Sequence, residues 1–104
     1  MFLDLKNKVA LVTGASQGIG FSCAESLAAE GCNLGILARN DENLSAKCDL
    51  INDRYDVKCI KILGDVSDQK LPEYACNVML KEFSRLDILI NNSGGPPLGS
   101  FLEH

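Results

Sequence analysis

Four short apolar runs, each closing on a polar or glycine-bearing segment, constrain this chain more than any other feature. They are "KVALVT" (8–13), "NLGILA" (33–38), "VKCIKIL" (57–63) and "LDILIN" (86–91). Three are rich in Val, Ile and Leu without clean alternation, the pattern of strands buried on both faces of a parallel sheet. "VKCIKIL" alternates more, with Lys58 and Lys61 interrupting it, and suits a strand nearer a sheet edge. Helix-length segments separate the runs. From Ile19 to about Glu30, Gly20, Ala24, Leu27 and Ala28 share one small-residue face, and Gly31 follows as a C-cap. From about Glu42 to Arg54, Leu44, Cys48, Ile51 and Tyr55 form one stripe, with Asn40 or Asp41 capping its start. From about Gln69 to Ser84, Leu71, Ala75, Val78 and Met79 line up. Pro72 is tolerable only in a first turn, so the regular helix starts near Leu71.

The order β-α-β-α-β-α-β implies right-handed crossovers and a parallel sheet with helices on both faces. The expected fold class is α/β, a doubly wound parallel sheet of Rossmann type. With 104 residues there is room for one domain. Ten Lys and Arg against 14 Asp and Glu give a net charge of −4, without clustered base, which argues against nucleic acid or an anionic membrane as partner. "MFLDLKNK" carries both charge signs and no long apolar region, so it does not read as a signal peptide, and no apolar run approaches the ~20 residues of a membrane span. The expected location is cytoplasmic. Five cysteines at irregular spacings, with one His, read as small buried hydrophobes rather than as disulfides or a metal site.

The polar and glycine signals recur at one place, the carboxyl end of each strand: "TGASQGIG", "RND", "GDVSD" and "NNSGG". Ligands of open parallel sheets bind there, where strand order reverses. In "TGASQGIG", Gly14 lets the chain turn sharply off the strand, Gly18 lets backbone approach a pyrophosphate, and Gly20 lets the helix pack against the sheet. The amides of the helix start face an anion, and Thr13 and Ser16 add hydroxyl donors. A glycine-rich turn without a ligand is the plainer alternative, but a strand before and a helix after supply the context that favours binding. No Lys-Ser or Lys-Thr pair follows the glycines, which disfavours a Walker-type loop.

"TGASQGIG", "GDV" and "NNSGG" together resemble the short-chain dehydrogenase/reductase family, whose loop reads T-G-x-x-x-G-x-G and whose fourth strand ends in N-N-A-G. The likeness runs from Lys8 to about Gly95. Its nearest group is the single-domain one that includes the 3-oxoacyl-carrier-protein reductases. The resemblance implies a nicotinamide cofactor held by Gly14, Ser16, Gln17, Gly18, Ile19 and Gly20 at the pyrophosphate end. It puts Arg39 and Asn40 after the second strand, Asp65 and Val66 against the adenine, and Asn91, Asn92, Ser93 and Gly94 along the ribose. Ser93 stands where Ala is usual. The position that would carry an acid favouring NAD is Ala38. Arg39 beside it suits the 2′-phosphate of NADP, while Asp41 and Glu42 nearby would neutralise it if it were only a solvated loop residue. NADP is the expected cofactor, with NAD the alternative.

The family uses a Tyr as general acid, a Lys shortly after it, and a preceding Ser and Asn, all beyond the N-N-A-G segment. Neither Tyr55 nor Tyr74 substitutes, since the fourth residue after each is Cys59 and Val78. No catalytic residue is therefore assigned. Residues 1–104 are expected to be the cofactor-binding part of a longer oxidoreductase acting on a small carbonyl or alcohol, inactive alone. By the family's strand order, 3-2-1-4, "LDILI" would form an exposed apolar edge, and the chain would be marginally stable and self-associating. The complete protein is expected to be a homo-oligomer, a dimer or tetramer. A non-catalytic NADP(H)-binding or regulatory module is the alternative from another class.

Overall fold

The computed structural model describes residues 5–15, 18–65 and 67–92. Its elements are β1 (Val9–Thr13), α1 (Gly18–Ala29), β2 (Asn33–Ala38), α2 (Asp41–Arg54), β3 (Cys59–Leu63), α3 (Leu71–Phe83) and β4 (Ile88–Asn91). Every expected element is present, within about two residues of its expected ends. All strand pairs are parallel, in the order β3-β2-β1-β4.

Side chains alternate across the central strands and feed two cores. Ala10 and Val12 of β1 and Leu34 and Ile36 of β2 join Ala24, Ala28, Leu44, Cys48 and Ile51 of α1 and α2 on one face. Val9, Leu11 and Leu37 join Leu71, Ala75 and Met79 of α3 on the other. All five residues of β1 are buried, as a strand between two helix layers requires. β3 mixes buried Cys59 and Ile62 with exposed Lys61 and Leu63, which matches its edge place and its lysine-interrupted sequence.

The helix stripes are those expected, with Leu27, Tyr55 and Val78 half-buried at their margins. Gly31 ends α1 at φ 87°. Its N–H donates to the Ala28 carbonyl (3.0 Å) and the Cys32 N–H to Leu27 (3.1 Å), a Schellman closure. Asn40 is the α2 cap, its Oδ1 accepting from the Asn43 N–H at 3.1 Å. Pro72 falls in the first turn of α3.

Gly35 makes room for α3. A Cβ there would lie 2.2 Å from Met79 Sδ, so the thioether fills the space a side chain on β2 would take. All five cysteines are free. Cys32, Cys48 and Cys59 are buried, and Cys23 and Cys76 half-buried. Burial pushes the Cys32 thiol up to about 11, and raises Cys48, Cys59 and Cys76 as well. These four thiols stay protonated at neutral pH.

Candidate functional site

The chain leaves β1 through Gly14 at φ 61° and starts α1 at Gly18 at φ 62°, two left-handed positions that L side chains resist. A Cβ on Gly18 would meet nothing within 4 Å, so the glycine is required by backbone conformation and leaves open space beside the helix start. Gly20 is the opposite case. A Cβ there would fall 2.0 Å from the Gly14 carbonyl oxygen. The third glycine thus seats α1 against the turn itself, a closer reason than packing on the sheet. Ile19, in the first helical turn, is 75% exposed beside this opening. Ser16 and Gln17 lie outside the described residues.

Thr13 departs from its expected role, because it does not offer its hydroxyl to an anion. It is fully buried, and Oγ1 donates to Asn91 Oδ1 at 2.8 Å while accepting from the Asn92 N–H at 3.0 Å. Thr13 and Asn91 are register partners, the last paired residues of β1 and β4. The hydroxyl therefore clasps the carboxyl ends of two neighbouring strands, fixing where the chain turns out of β4. Asn91 and Asn92 thus have a structural job at the strand ends. Asn92 Nδ2 is buried and, among the described residues, has no hydrogen-bond partner. Ser93 and Gly94 lie outside the described residues.

At the ends of β2 and β3, Arg39 is 80% exposed and its Nη1 lies 3.8 Å from Asp65 Oδ2. Asp41 is not the neutralising partner of Arg39, because Lys61 holds it: Lys61 Nζ donates to Asp41 Oδ1 at 2.8 Å. Asp65 Oδ1 accepts from the Ser67 N–H at 3.0 Å, which holds the carboxyl below the usual carboxylate range, with Arg39 adding to the effect. Asp65 is thus an anchored anion. Asn40 is committed to its cap through Oδ1. Val66 lies outside the described residues.

Two further contacts fix the sheet and were not read from the sequence. Asp87 Oδ2 accepts from the Val9 N–H at 2.9 Å, while the Asp87 N–H donates to the Val9 carbonyl at 2.8 Å, tying the starts of β1 and β4. The Asn52 side chain meets the outward backbone of Cys59, accepting from its N–H at 2.8 Å and donating to its carbonyl at 2.9 Å. An Asp just before an apolar run and an Asn on a helix carry no periodic signal, so only the tertiary pairing reveals them. A cleft of about 510 Å³ opens at the opposite, amino ends of the strands, between Lys6, Gly31, Asn33, Arg54 and Tyr55. Its side chains are of mixed sign and it lacks the glycine turn. Tyr55 belongs there, its hydroxyl 3.3 Å from Glu25 Oε2, and Tyr74 is exposed on α3.

A four-stranded parallel sheet in this order, covered on both faces and opening at its carboxyl ends onto a glycine turn, defines a doubly wound domain of Rossmann type. The short chain dehydrogenase family model matches residues 8–104, and the chain belongs to that family. It is similar to a peroxisomal 2,4-dienoyl-CoA reductase of Danio rerio, 38% identical over 91 residues, which cover 88% of this chain and 30% of the relative. Among solved structures it resembles the L-sorbose reductase of Gluconobacter frateurii, complexed with NADPH and L-sorbose. The TM-score is 0.83 at 28% identity, covering 98% of this chain and 40% of that one. It also resembles a short chain dehydrogenase/reductase of Burkholderia phymatum in complex with NAD, with a TM-score of 0.79 at 25% identity, covering 85% and 31%. The chain spans roughly a third of the length of the curated relatives it matches. Among the described residues no helix is long and apolar enough to cross a membrane, and no group of His, Cys, Asp and Glu could hold a metal ion.

Proposed function

We propose that residues 1–104 form the cofactor-binding part of an NADP-preferring oxidoreductase that interconverts a small-molecule carbonyl and its alcohol. The observation that carries this reading is the glycine turn: two left-handed glycines, open space at Gly18, and a helix start held against the Gly14 carbonyl. Backbone amides of that helix start are suited to a pyrophosphate, because they have no partner within the helix and sit at its positive end. Asn92 Nδ2, without a hydrogen-bond partner among the described residues, supports a second contact toward the nicotinamide ribose. Arg39, exposed at the end of β2, supports a charge-assisted contact to an adenosine 2′-phosphate.

When bound, the cofactor would give hydride to, or take it from, the substrate carbon. The residues of this chain bind and orient it, and none is assigned as proton donor, because Tyr55 lies at the opposite end of the sheet and Tyr74 on the exposed side of α3. Proton transfer then falls to residues other than these two tyrosines, and the chain alone is expected to be inactive. Five free cysteines support a reducing, cytoplasmic setting, and the complete protein is read as a homo-oligomer.

Titration of the chain with NADPH and with NADH, followed by reduced-nicotinamide fluorescence, tests this reading. NADPH is expected to bind more tightly. Arg39→Asp is expected to weaken NADPH by ~10-fold or more, as loss of a charge-assisted contact does, and to reverse the preference. Tighter NADH binding by the unaltered chain contradicts the NADP assignment.

A further inference from the structure

Resting on the cofactor reading above, we infer that Asp65 is a specificity-determining residue: its carboxylate competes with the adenosine 2′-phosphate for Arg39. The two oxygens of Asp65 have different tasks. Oδ1 is fixed by the Ser67 N–H at 3.0 Å, and Oδ2 is directed to Arg39 Nη1 at 3.8 Å. Anchoring through Ser67 removes the carboxylate's share of the side-chain entropy that makes exposed ion pairs weak, so the anion waits in place for the guanidinium. The two residues that follow Arg39 in the chain are committed elsewhere. Asp41 is engaged by Lys61 and by the Ser45 hydroxyl, and Asn40 is neutral and caps α2.

A 2′-phosphate must therefore draw Arg39 away from a carboxylate already facing it. The 2′-hydroxyl of NADH needs no such exchange. The pair lowers the preference for the phosphorylated cofactor below what a lone arginine would give. The strand end is thus built to moderate the preference rather than to maximise it.

The test is a set of fluorescence titrations with NADPH and NADH on the full chain, using wild type, Asp65→Asn, Arg39→Ala and the double variant. Asn at 65 still accepts from the Ser67 N–H, so the turn is kept while the charge is removed. Asp65→Asn is expected to raise the ratio of NADPH to NADH affinity about two- to fivefold, the scale of an exposed ion pair, whereas loss of an adenine contact would move both cofactors alike and leave the ratio unchanged. In the Arg39→Ala background the gain is expected to vanish. An unchanged ratio in Asp65→Asn, or the same gain with and without Arg39, overturns the competition while leaving the cofactor reading intact. Failure of both cofactors to bind wild type overturns the reading on which it rests.

Discussion

Thr13 shows how one side chain can serve a site without facing its ligand. Its hydroxyl has a single proton, given to Asn91 Oδ1, and a lone pair taken by the Asn92 N–H. Thr13→Val keeps the shape and removes both hydrogen bonds from a part-buried place. The expected cost is about 1–3 kcal/mol in urea denaturation, with Thr13→Ser retaining most of the stability. At Gly20 the constraint is space. Ala would put a methyl on the Gly14 carbonyl, so α1 or the turn must move. Gly20→Ala is expected to destabilise by ~1–3 kcal/mol and to abolish cofactor binding; a variant that binds normally would remove Gly20 from the site. The three glycines were legible in the sequence by spacing. The Thr13 clasp was not, because spacing along one strand does not say which hydroxyl meets the next strand.

The elements are held in register by a few contacts between them. Met79 of α3 fills the space left by Gly35 of β2 and is fully buried, so Met79→Ala is expected to cost about 2–5 kcal/mol by cavity formation, read from the denaturation midpoint. Asp87 joins the starts of β4 and β1. The Arg85 hydrogen bond, opposed by partial desolvation and helped by the Val9 N–H, holds its carboxyl below its ordinary value of 3.8. A carboxylate with a depressed folded pKa contributes stability that is present above its unfolded pKa and is lost as pH falls through the folded one. Stability is therefore expected to fall below about pH 4, and Asp87→Asn to flatten that acid limb in urea titrations at stepped pH. An unchanged limb would mean that other carboxylates set it. Helix and strand existence followed from apolar spacing because both cores are built from it. The contacts of Asp87 and Asn52 are polar and nonlocal, and one-dimensional periodicity does not report them.

At the scale of the molecule, the sheet order and the two-faced core agree with what the sequence implied, and the carboxyl ends of the four parallel strands lie together at one end of the sheet as their polar segments suggested. Among the described residues the sheet has two edges, and they differ. β3 presents Lys61 and has the Asn52 amide on its outward Cys59 backbone, both of which blunt strand addition. β4 is short and apolar, with Ile88 and Ile90 only partly buried and a shallow groove running from Ile90 to Ile19 and Leu27. The 104-residue chain is accordingly expected to self-associate in sedimentation velocity at micromolar concentration, and a cooperative, strictly monomeric chain would contradict this. The central claim concerns the carboxyl ends of the strands, and an amide-resolved NMR titration with NADPH tests it most directly. Shifts are expected at Gly14, Gly18, Ile19, Gly20 and Asn92. Shifts confined to Lys6, Gly31 and Asn33 at the opposite end, or none at all, would contradict the account.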